Sequence, residues 1–220
     1  MEIKLDFTAR NLGSGSRTVK GIVLHDTAGS GKINDVRYLA NPGDGRVVSV
    51  DFCVTRDGNI YQLSPDLSKN WTFHAGRNTR FKGHINGAVN KHTIGIEIVQ
   101  KADLSLSPLY PEPQVKSVAE LCAHLCEKFG LSKDDITTHA KIITDGSRSD
   151  PRRFPFDKFD DFFNTASVGQ ETVKHTVVAG DTLYSLSKHY KTTVEEIKRL
   201  NSINEASNLI TVGQVLIVKV

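Results

Sequence analysis

Three potential metal ligands that lie far apart in the chain constrain the fold of this sequence most. His25 ends a short apolar run and precedes a Gly-rich turn, while His139 and Asp150 belong to a turn-rich stretch much later in the chain. Two imidazoles and one carboxylate are a common ligand set of catalytic zinc, which keeps its fourth position for water or substrate. We therefore predict that the fold brings His25, His139 and Asp150 to one Zn2+ ion.

Alternating side chains predict that a second carboxylate faces away from the core. Residues 93–99 have the period of a β-strand, with Ile94, Ile96 and Ile98 on one face. Glu97 then points away from the isoleucine row. We expect this strand and the one that ends at His25 to belong to a single central sheet.

The remaining pattern predicts an α/β first domain, with a mixed central β-sheet flanked by helices. A turn at 56–59 predicts a hairpin between strands at 47–55 and 60–63. A helical pattern over 114–129 ends at Gly130, a residue type that favours helix C-termini. A short Phe-rich helix is predicted near 156–163.

A change of composition divides the chain. Residues 166–174 are rich in small and polar side chains, and we predict a flexible linker there. After it, two strand patterns enclose two helical ones and give the order βααβ. The predicted domains are therefore 1–165 and 175–220, with the linker between them. A chain of 220 residues has room for both, since one domain takes roughly 100–200 residues.

Charge and cysteine content exclude several classes of function. The net charge of +3 at pH 7 suits an anionic polymer but is too weak to indicate nucleic acid. The three cysteines have no framework spacing and are expected to be reduced core thiols.

No apolar run approaches the ~20 residues of a membrane span. The N-terminus lacks the pattern of a signal peptide, so we expect synthesis in the cytoplasm without one.

Five motifs in the first domain together resemble a known family. They are Leu24-His25-Asp26-Thr27-Ala28-Gly29, Arg56-Asp57-Gly58-Asn59-Ile60-Tyr61, Phe73-His74-Ala75-Gly76, Ile94-Gly95-Ile96-Glu97, and Thr138-His139 with Asp150-Pro151. In this order they are similar to the zinc-dependent N-acetylmuramoyl-L-alanine amidases, which share their fold with peptidoglycan recognition proteins. The resemblance implies that zinc is the cofactor and that His25, His139 and Asp150 hold it.

The resemblance also implies roles for residues around the metal. Glu97 stands where one branch of the family has a glutamate that takes a proton from the attacking water and returns it to the leaving amine. Arg148 stands where the family commonly has a lysine, and we expect it to stabilise the oxyanion, although its planar fork differs from an ammonium. Trp71 and His74 are predicted to contact substrate. His74 could instead simply pack beside Trp71.

The C-terminal unit resembles a LysM module. The matching stretches are Val177-Val178-Ala179-Gly180-Asp181-Thr182-Leu183-Tyr184-Ser185-Leu186 and Val212-Gly213-Gln214-Val215-Leu216. LysM modules bind glycans that contain N-acetylglucosamine, in a groove between the loops that flank their helices. The resemblance implies that Gly180, Asp181 and Thr182 contact such a glycan.

Together the two resemblances predict a peptidoglycan hydrolase. It would cut the amide bond between N-acetylmuramic acid and L-alanine while the LysM module holds it on the cell wall. The expected partner is bacterial peptidoglycan, both glycan strand and stem peptide, and we expect a monomer. A peptidoglycan-binding recognition protein without catalysis is the alternative, and an amidase of soluble wall fragments is a third reading. Without a signal peptide, the protein is expected to reach the wall by a non-classical route, as a phage lysin or an injected effector does.

Overall fold

The chain divides into two compact units, Met1–Asn164 and Thr165–Val220. The computed structural model describes residues 1–168, 173–201, 203–204 and 207–219. The first unit is a mixed α/β fold, which confirms the predicted class. None of the helices in these described ranges combines the length and the apolar character that crossing a bilayer requires.

The first unit alternates short strands with helices. Its strands are β1 (Ile3–Lys4), β2 (Gly13–Ser14), β3 (Gly21–Asp26), β4 (Phe52–Val54), β5 (Ile60–Gln62), β6 (Asn70–Trp71), β7 (Arg80–Phe81), β8 (His84–Ile85), β9 (Thr93–Ile98) and β10 (Ile136–Thr138). Its helices are α1 (Ile33–Ala40), α2 (Gly87–His92), α3 (Glu112–Phe129), α4 (His139–Ile142) and α5 (Phe156–Val168), with a 3-10 turn at Lys133–Asp135.

Six of these strands form the central sheet, in the order β1-β5-β4-β9-β3-β10. The predicted hairpin β4–β5 is antiparallel, whereas β4, β9, β3 and β10 run parallel to one another. In the register of the sheet, His25 lies beside Glu97, and Thr138 lies beside Leu24. His139 therefore follows β10 at the level of His25. The carboxyl ends of adjacent parallel strands bring these side chains to one edge of the sheet.

The two faces of the sheet have different partners. The isoleucines of β9 and the alternate residues of β3 are fully buried against α3 and α5, as the predicted alternation requires. α3 ends at Gly130, whose φ of 68° is left-handed, so the predicted helix end is confirmed. The opposite face packs against α1 and α4 and carries His25 and Glu97. One face of the sheet is thus apolar, whereas the other combines apolar contacts with the polar side chains of the site.

Both ends of the predicted linker, 166–174, belong to regular elements. Residues 166–168 form the end of α5, because the sequence offers no glycine or proline to stop the helix between Pro155 and Gly169. Residues 173–174 already belong to the first strand of the second unit. The remaining residues of the predicted linker, 169–172, lie outside the described ranges.

The second unit has the predicted βααβ order. Its elements are β11 (Val173–Thr176), α6 (Leu183–His189), α7 (Val194–Leu200) and β12 (Val215–Lys219). The two strands pair antiparallel. Thr182 and Thr193 cap the two helices, since each hydroxyl accepts a hydrogen bond from a backbone N–H of the first turn. A small core lies between strands and helices: Val177, Leu183, Leu186, Ile197, Leu216 and Val218.

Candidate functional site

Side-chain atoms of His25, His139 and Asp150 converge at the carboxyl ends of β3 and β10. The two Nδ1 atoms are 3.1 Å apart, and Asp150 Oδ2 lies 3.2 Å from His25 Nδ1 and 3.1 Å from His139 Nδ1. Both rings are buried and Asp150 is half-buried. In the described part of the chain, this is the one group of three or more His, Cys, Asp or Glu side chains that could hold a metal ion. The structure thus brings together the three residues that the sequence predicts as ligands.

The arrangement of hydrogen-bond acceptors in this triangle favours a cation at its centre. His139 Nε2 lies 3.1 Å from the carbonyl oxygen of Ala75, which can only accept, so Nε2 carries the proton. In the neutral ring, Nδ1 then presents a lone pair toward Asp150 Oδ2, which is also an acceptor. Two acceptors at 3.1 Å repel each other unless a positive charge lies between them. Tetrahedral zinc with bonds of about 2.0–2.1 Å places its ligand atoms about 3.3 Å apart, close to the observed separations.

Burial and neighbours favour the states of His25 and Asp150 that a metal requires. Burial lowers the pKa of His25, and the nearby His139 lowers it further, although Asp150 opposes both. Burial alone would raise the pKa of Asp150, but the neighbouring rings of His139 and His25 outweigh the burial and hold that pKa below its ordinary value. A neutral imidazole and an ionised carboxylate are the forms that bind a metal.

Glu97 lies beside this group and is a carboxylate with a strongly raised pKa. It is half-buried, neighbours His25 in the sheet and lines the same cavity. Its Oε2 atom is buried and has no hydrogen-bond partner among the described residues. Burial raises the pKa of Glu97 well above its ordinary value, and the charges of Asp150 and Asp26 add to the shift. Such an orphaned oxygen next to three ligands is typical of a group that exchanges protons with a reactant.

The raised pKa predicts a pH-dependent effect of Glu97→Gln on the stability of the metal-free protein. An unfolded chain ionises a glutamate near pH 4.3, whereas the folded protein keeps Glu97 protonated to higher pH. Unfolding therefore releases a proton above about pH 4.3, and the wild type loses stability relative to the variant as the pH rises. We expect thermal unfolding of chelator-treated protein, from about pH 4 to about pH 8, to show a stability gap that favours Glu97→Gln and widens with pH. A gap that is constant over this range would contradict the assignment.

The site opens into a cavity of about 540 Å3. This volume is in the range of sites for small ligands, about 300–1,000 Å3. Tyr38 and Arg46 line it on the side of α1 and the following loop, and Arg148 lines it from the loop before Asp150. Arg148 is exposed. The cavity therefore offers room for a substrate beside the three ligands, with cationic side chains at its walls.

The two residues predicted to contact substrate lie in different places. His74 is buried behind His25, with its Nδ1 3.1 Å from His25 Nε2, and it also borders the cavity. Trp71 is not among the residues that line the cavity. Its indole covers Gly13, where a Cβ atom would lie 2.1 Å from the ring, and Lys91 Nζ is 5.3 Å from the ring centroid. The indole of Trp71 thus packs on the backbone of Gly13, where any side chain would collide with it, and does not line the cavity.

The three residues predicted to contact glycan lie in the second unit, where two of them also shape the loop before α6. Asp181 Oδ2 accepts hydrogen bonds from the backbone N–H of Val178 at 2.8 Å and from His175 Nε2 at 2.7 Å. Thr182 caps α6. Gly180 is exposed, with a φ of 95° that favours glycine. The loop is therefore held firmly while its backbone faces solvent.

Two carboxylates support the site: Asp35, which sequence reasoning missed, and Asp26, whose partner the sequence does not reveal. Asp35 accepts hydrogen bonds from the backbone N–H groups of Ser30 and Gly31 and so fixes the Gly-rich turn after His25. Asp26 binds Arg152: its Oδ2 accepts from the Arg152 backbone N–H at 2.6 Å and from Nε at 3.0 Å. Because Asp26 follows one ligand and Arg152 comes two residues after another, this pair ties their two segments together. No spacing rule in the sequence connects residues so far apart.

Loss of the Asp26–Arg152 pair is expected to destabilise the first unit. The Asp26 side chain is 0% exposed, so Arg152→Ala leaves a buried carboxylate without its cation. Hydrogen bonds to charged groups are worth about 1.5–3 kcal/mol, and we expect a loss of about 2–3 kcal/mol in the free energy of unfolding. Denaturant titration of the metal-free protein measures it. Arg153→Ala, at the exposed neighbouring arginine, is the control and should cost less than about 0.5 kcal/mol. Equal losses in both variants would contradict the role of the pair.

Comparisons with known proteins agree with this geometry. The profile of the N-acetylmuramoyl-L-alanine amidase family matches residues 15–153, and that of the LysM domain matches residues 175–219. The N-acetylmuramoyl-L-alanine amidase XlyA of Bacillus subtilis (strain 168) is 32% identical over 201 residues, which cover 90% of this chain and 60% of XlyA. A probable N-acetylmuramoyl-L-alanine amidase of Bacillus licheniformis is 29% identical over 132 residues, 58% of this chain and 36% of that protein. The solved catalytic domain of XlyA matches with a TM-score of 0.56 and 26% identity, over 74% of this chain and 99% of the domain.

These matches confirm both resemblances found in the sequence. The amidase profile spans the motifs from the Gly-rich turn after His25 to Asp150, and the LysM profile spans the βααβ unit. The chain spans 60% and 36% of the length of the two curated relatives.

Proposed function

Because the chain belongs to the N-acetylmuramoyl-L-alanine amidase family and carries a LysM domain, we propose that it is a peptidoglycan hydrolase. It cuts the amide bond between the lactyl group of N-acetylmuramic acid and the L-alanine of the stem peptide. The observation that carries this proposal is the convergence of His25, His139 and Asp150 beside Glu97 in an open cavity. Binding of peptidoglycan without turnover needs neither the ligand set nor the orphaned carboxylate.

Zinc is the metal that the three side chains suit. Two imidazole nitrogens and one carboxylate oxygen, with space beside them for a fourth ligand, are typical of catalytic zinc. When bound, zinc lowers the pKa of a coordinated water from 15.7 to about 7 and so supplies hydroxide at neutral pH. His25, His139 and Asp150 would hold the ion, and the carbonyl of Ala75 orients His139 through its Nε2 proton.

Glu97 is the proposed general base and general acid. Its position next to His25 in the sheet puts the carboxylate beside the ligands. Burial raises its pKa well above the ordinary value of a glutamate, so the carboxyl group holds a proton more readily and can return it to the leaving group. Glu97 takes the proton of the attacking water and then gives it to the nitrogen of L-alanine. The C–N bond breaks and the stem peptide leaves as a neutral amine.

Arg148 is the proposed donor to the oxyanion of the tetrahedral intermediate. It lines the cavity two residues before Asp150. The loop that carries it is anchored at Asp145, which accepts hydrogen bonds from Asn78 Nδ2 at 2.7 Å and from the Ser147 backbone N–H at 3.0 Å. A guanidinium stays charged at every relevant pH and offers several N–H donors, which suits this role.

The LysM domain is proposed to hold the enzyme on the glycan strand of the cell wall. The loop of Gly180, Asp181 and Thr182 is the proposed contact, because Gly180 and Thr182 are exposed and a hydrogen bond from the Val178 backbone N–H to Asp181 fixes the loop. Binding to the polymer that contains the scissile bond raises the local substrate concentration without changing the active site. The site of action would be the cell wall, in the periplasm or outside the cell.

Analysis of the products tests the proposed reaction. Purified peptidoglycan is incubated with the zinc-loaded protein, and the released fragments are identified by mass spectrometry. We expect free stem peptides with a new amino group on L-alanine, and glycan strands of unchanged length. Cuts within the glycan or within the peptide would contradict the proposal. Tight binding to peptidoglycan without any released fragment would favour the recognition protein instead.

A further inference from the structure

A line of hydrogen bonds runs from His25 into the interior of the first unit. His25 Nε2 lies 3.1 Å from His74 Nδ1, and His74 Nε2 lies 3.3 Å from the carbonyl oxygen of Thr93. All three residues are buried. The same carbonyl also accepts a hydrogen bond from the guanidinium of Arg17, which is paired with the buried Asp51. The line therefore ends in a fixed and fully buried acceptor.

This end point determines which nitrogen carries each proton. His74 Nε2 also lies 3.2 Å from the Thr93 hydroxyl oxygen, but that hydroxyl donates its own hydrogen to the carbonyl oxygen of Val89 at 2.7 Å. Both oxygens of Thr93 can therefore only accept here, so His74 Nε2 carries the hydrogen. In the neutral ring, His74 Nδ1 is then an acceptor, and His25 Nε2 must donate to it. His25 Nδ1 is left with a lone pair, and that lone pair faces His139 and Asp150. The tautomer that His25 needs as a metal ligand is thus set by the backbone carbonyl of Thr93, through His74.

The residue next to His74 does the same for the second histidine. The carbonyl of Ala75 accepts from His139 Nε2 at 3.1 Å, which leaves His139 Nδ1 free to bind a metal. The side chain of Asn90 holds both residues, because its Oδ1 accepts from the backbone N–H of His74 at 3.0 Å and of Ala75 at 2.7 Å. The segment His74-Ala75, which Asn90 Oδ1 holds in place, therefore contacts the rings of both His25 and His139 on the side away from Asp150.

Gly95 makes room for this arrangement. A Cβ atom at position 95 would lie 2.4 Å from Cγ of the His74 ring, closer than any real contact of this kind. Gly95 is in the middle of β9, where glycine weakens a strand and is kept when another group must approach closely. Gly95, between Ile94 and Ile96, thus leaves the space that the ring of His74 occupies.

We propose that His74 and Ala75 are a positioning element that fixes the tautomer and orientation of both histidine ligands. His74 then acts through His25 and is a positioning residue, not a contact for substrate. The inference rests on the proposed metal site, but it concerns the affinity for the ion and needs no statement about the reaction. Residues that hydrogen-bond to metal-binding histidines typically change metal affinity by about 10–100-fold when they are replaced.

Two variants of His74 test this inference. His74→Phe fills the same space without either hydrogen bond, and His74→Asn keeps an acceptor near the position of Nδ1. Competition with a chromophoric chelator measures the dissociation constant for zinc, and the visible absorption spectrum of the cobalt-substituted protein reports the geometry of the ligands. We expect zinc binding about 10–100-fold weaker in His74→Phe, with partial recovery and a more native cobalt spectrum in His74→Asn.

The same variants distinguish the two roles of His74. If His74 contacts substrate instead, zinc affinity stays at the wild-type value and KM of the zinc-saturated variant rises, and this result would overturn the inference. Failure of the wild type itself to bind zinc would contradict the proposed function. Normal zinc binding by the wild type with unchanged affinity in His74→Phe would contradict only the inference.

A measurement on the wild type keeps the inference testable if the variants fail to fold. Two-bond 15N–1H correlation spectra of the zinc-loaded protein, labelled at the imidazole nitrogens, report which nitrogen of each ring is protonated. We expect the proton of His74, and those of His25 and His139, on Nε2. A proton on His74 Nδ1 would overturn the inference.

Discussion

Glu97→Gln is expected to lower kcat/KM by about 10²–10⁴-fold and to leave one zinc ion bound per chain. Glutamine has nearly the shape of glutamate, but it can neither take the proton of the attacking water nor return it to the leaving amine. Glu97 neighbours His25 in the sheet, and its buried Oε2 has no partner among the described residues, so the carboxylate is available for a reactant. The three ligand side chains are unchanged by this substitution, and zinc binding should persist.

Release of stem peptide from purified peptidoglycan measures the rate, and elemental analysis measures the zinc. Glu112→Gln is the matched control: Glu112 is exposed in the first turn of α3, a helix that packs on the opposite face of the sheet. It should keep the wild-type rate. If Glu97→Gln retained most of the activity, Glu97 would not be the base. If the variant also lost its zinc, Glu97 would act by holding the metal.

His139→Ala is expected to abolish both zinc binding and hydrolysis. The substitution removes one of three ligand atoms from a triangle with sides of 3.1–3.2 Å, and the remaining two hold an ion poorly. Without zinc, the attacking water returns to a pKa near 15.7 instead of about 7, so we expect a loss on the order of 10⁴-fold or more in rate. Zinc should be absent after dialysis that leaves the wild type with one ion per chain.

His124→Ala provides the matched control, because His124 is exposed on α3. It should keep both zinc and activity. The double variant Glu97→Gln/His139→Ala should be no slower than His139→Ala alone, since groups that act as one unit do not have additive effects. A His139→Ala protein that still bound one zinc ion and released stem peptide would show that the metal lies elsewhere.

Local periodicity predicted the parts of the site that lie on regular strands. The alternation of Ile94, Ile96 and Ile98 placed Glu97 on the face opposite the core, where the structure has it. The helix end at Gly130 followed from the left-handed conformation that glycine adopts readily. These features depend only on residues that are close in the sequence, and so they can be predicted from it.

Contacts between segments that are distant in the chain could not be predicted from the sequence. The sequence contains no rule that pairs Asp26 with Arg152, 126 residues away, or that packs Trp71 onto Gly13. His74 could be recognised as part of a motif, but its position behind His25 depends on the approach of the loop to β9 at Gly95. Motif spacing gives the order of such residues, whereas the sheet register decides which face and which neighbour each one has.

The linker shows the limit of composition as a guide. Small and polar residues at 166–174 suggested a flexible segment, yet 166–168 continue α5. Small and polar residues are compatible with a helix as well as with a loop, so composition alone does not locate the end of α5.

The position of the metal tests the central claim most directly. Crystals of the zinc-loaded protein, measured on both sides of the zinc absorption edge, locate the ion by its anomalous scattering. We predict one strong peak, about 2.0–2.2 Å from His25 Nδ1, His139 Nδ1 and Asp150 Oδ2. A peak at another place, or an ion that contacts only one of these three atoms, would contradict the account.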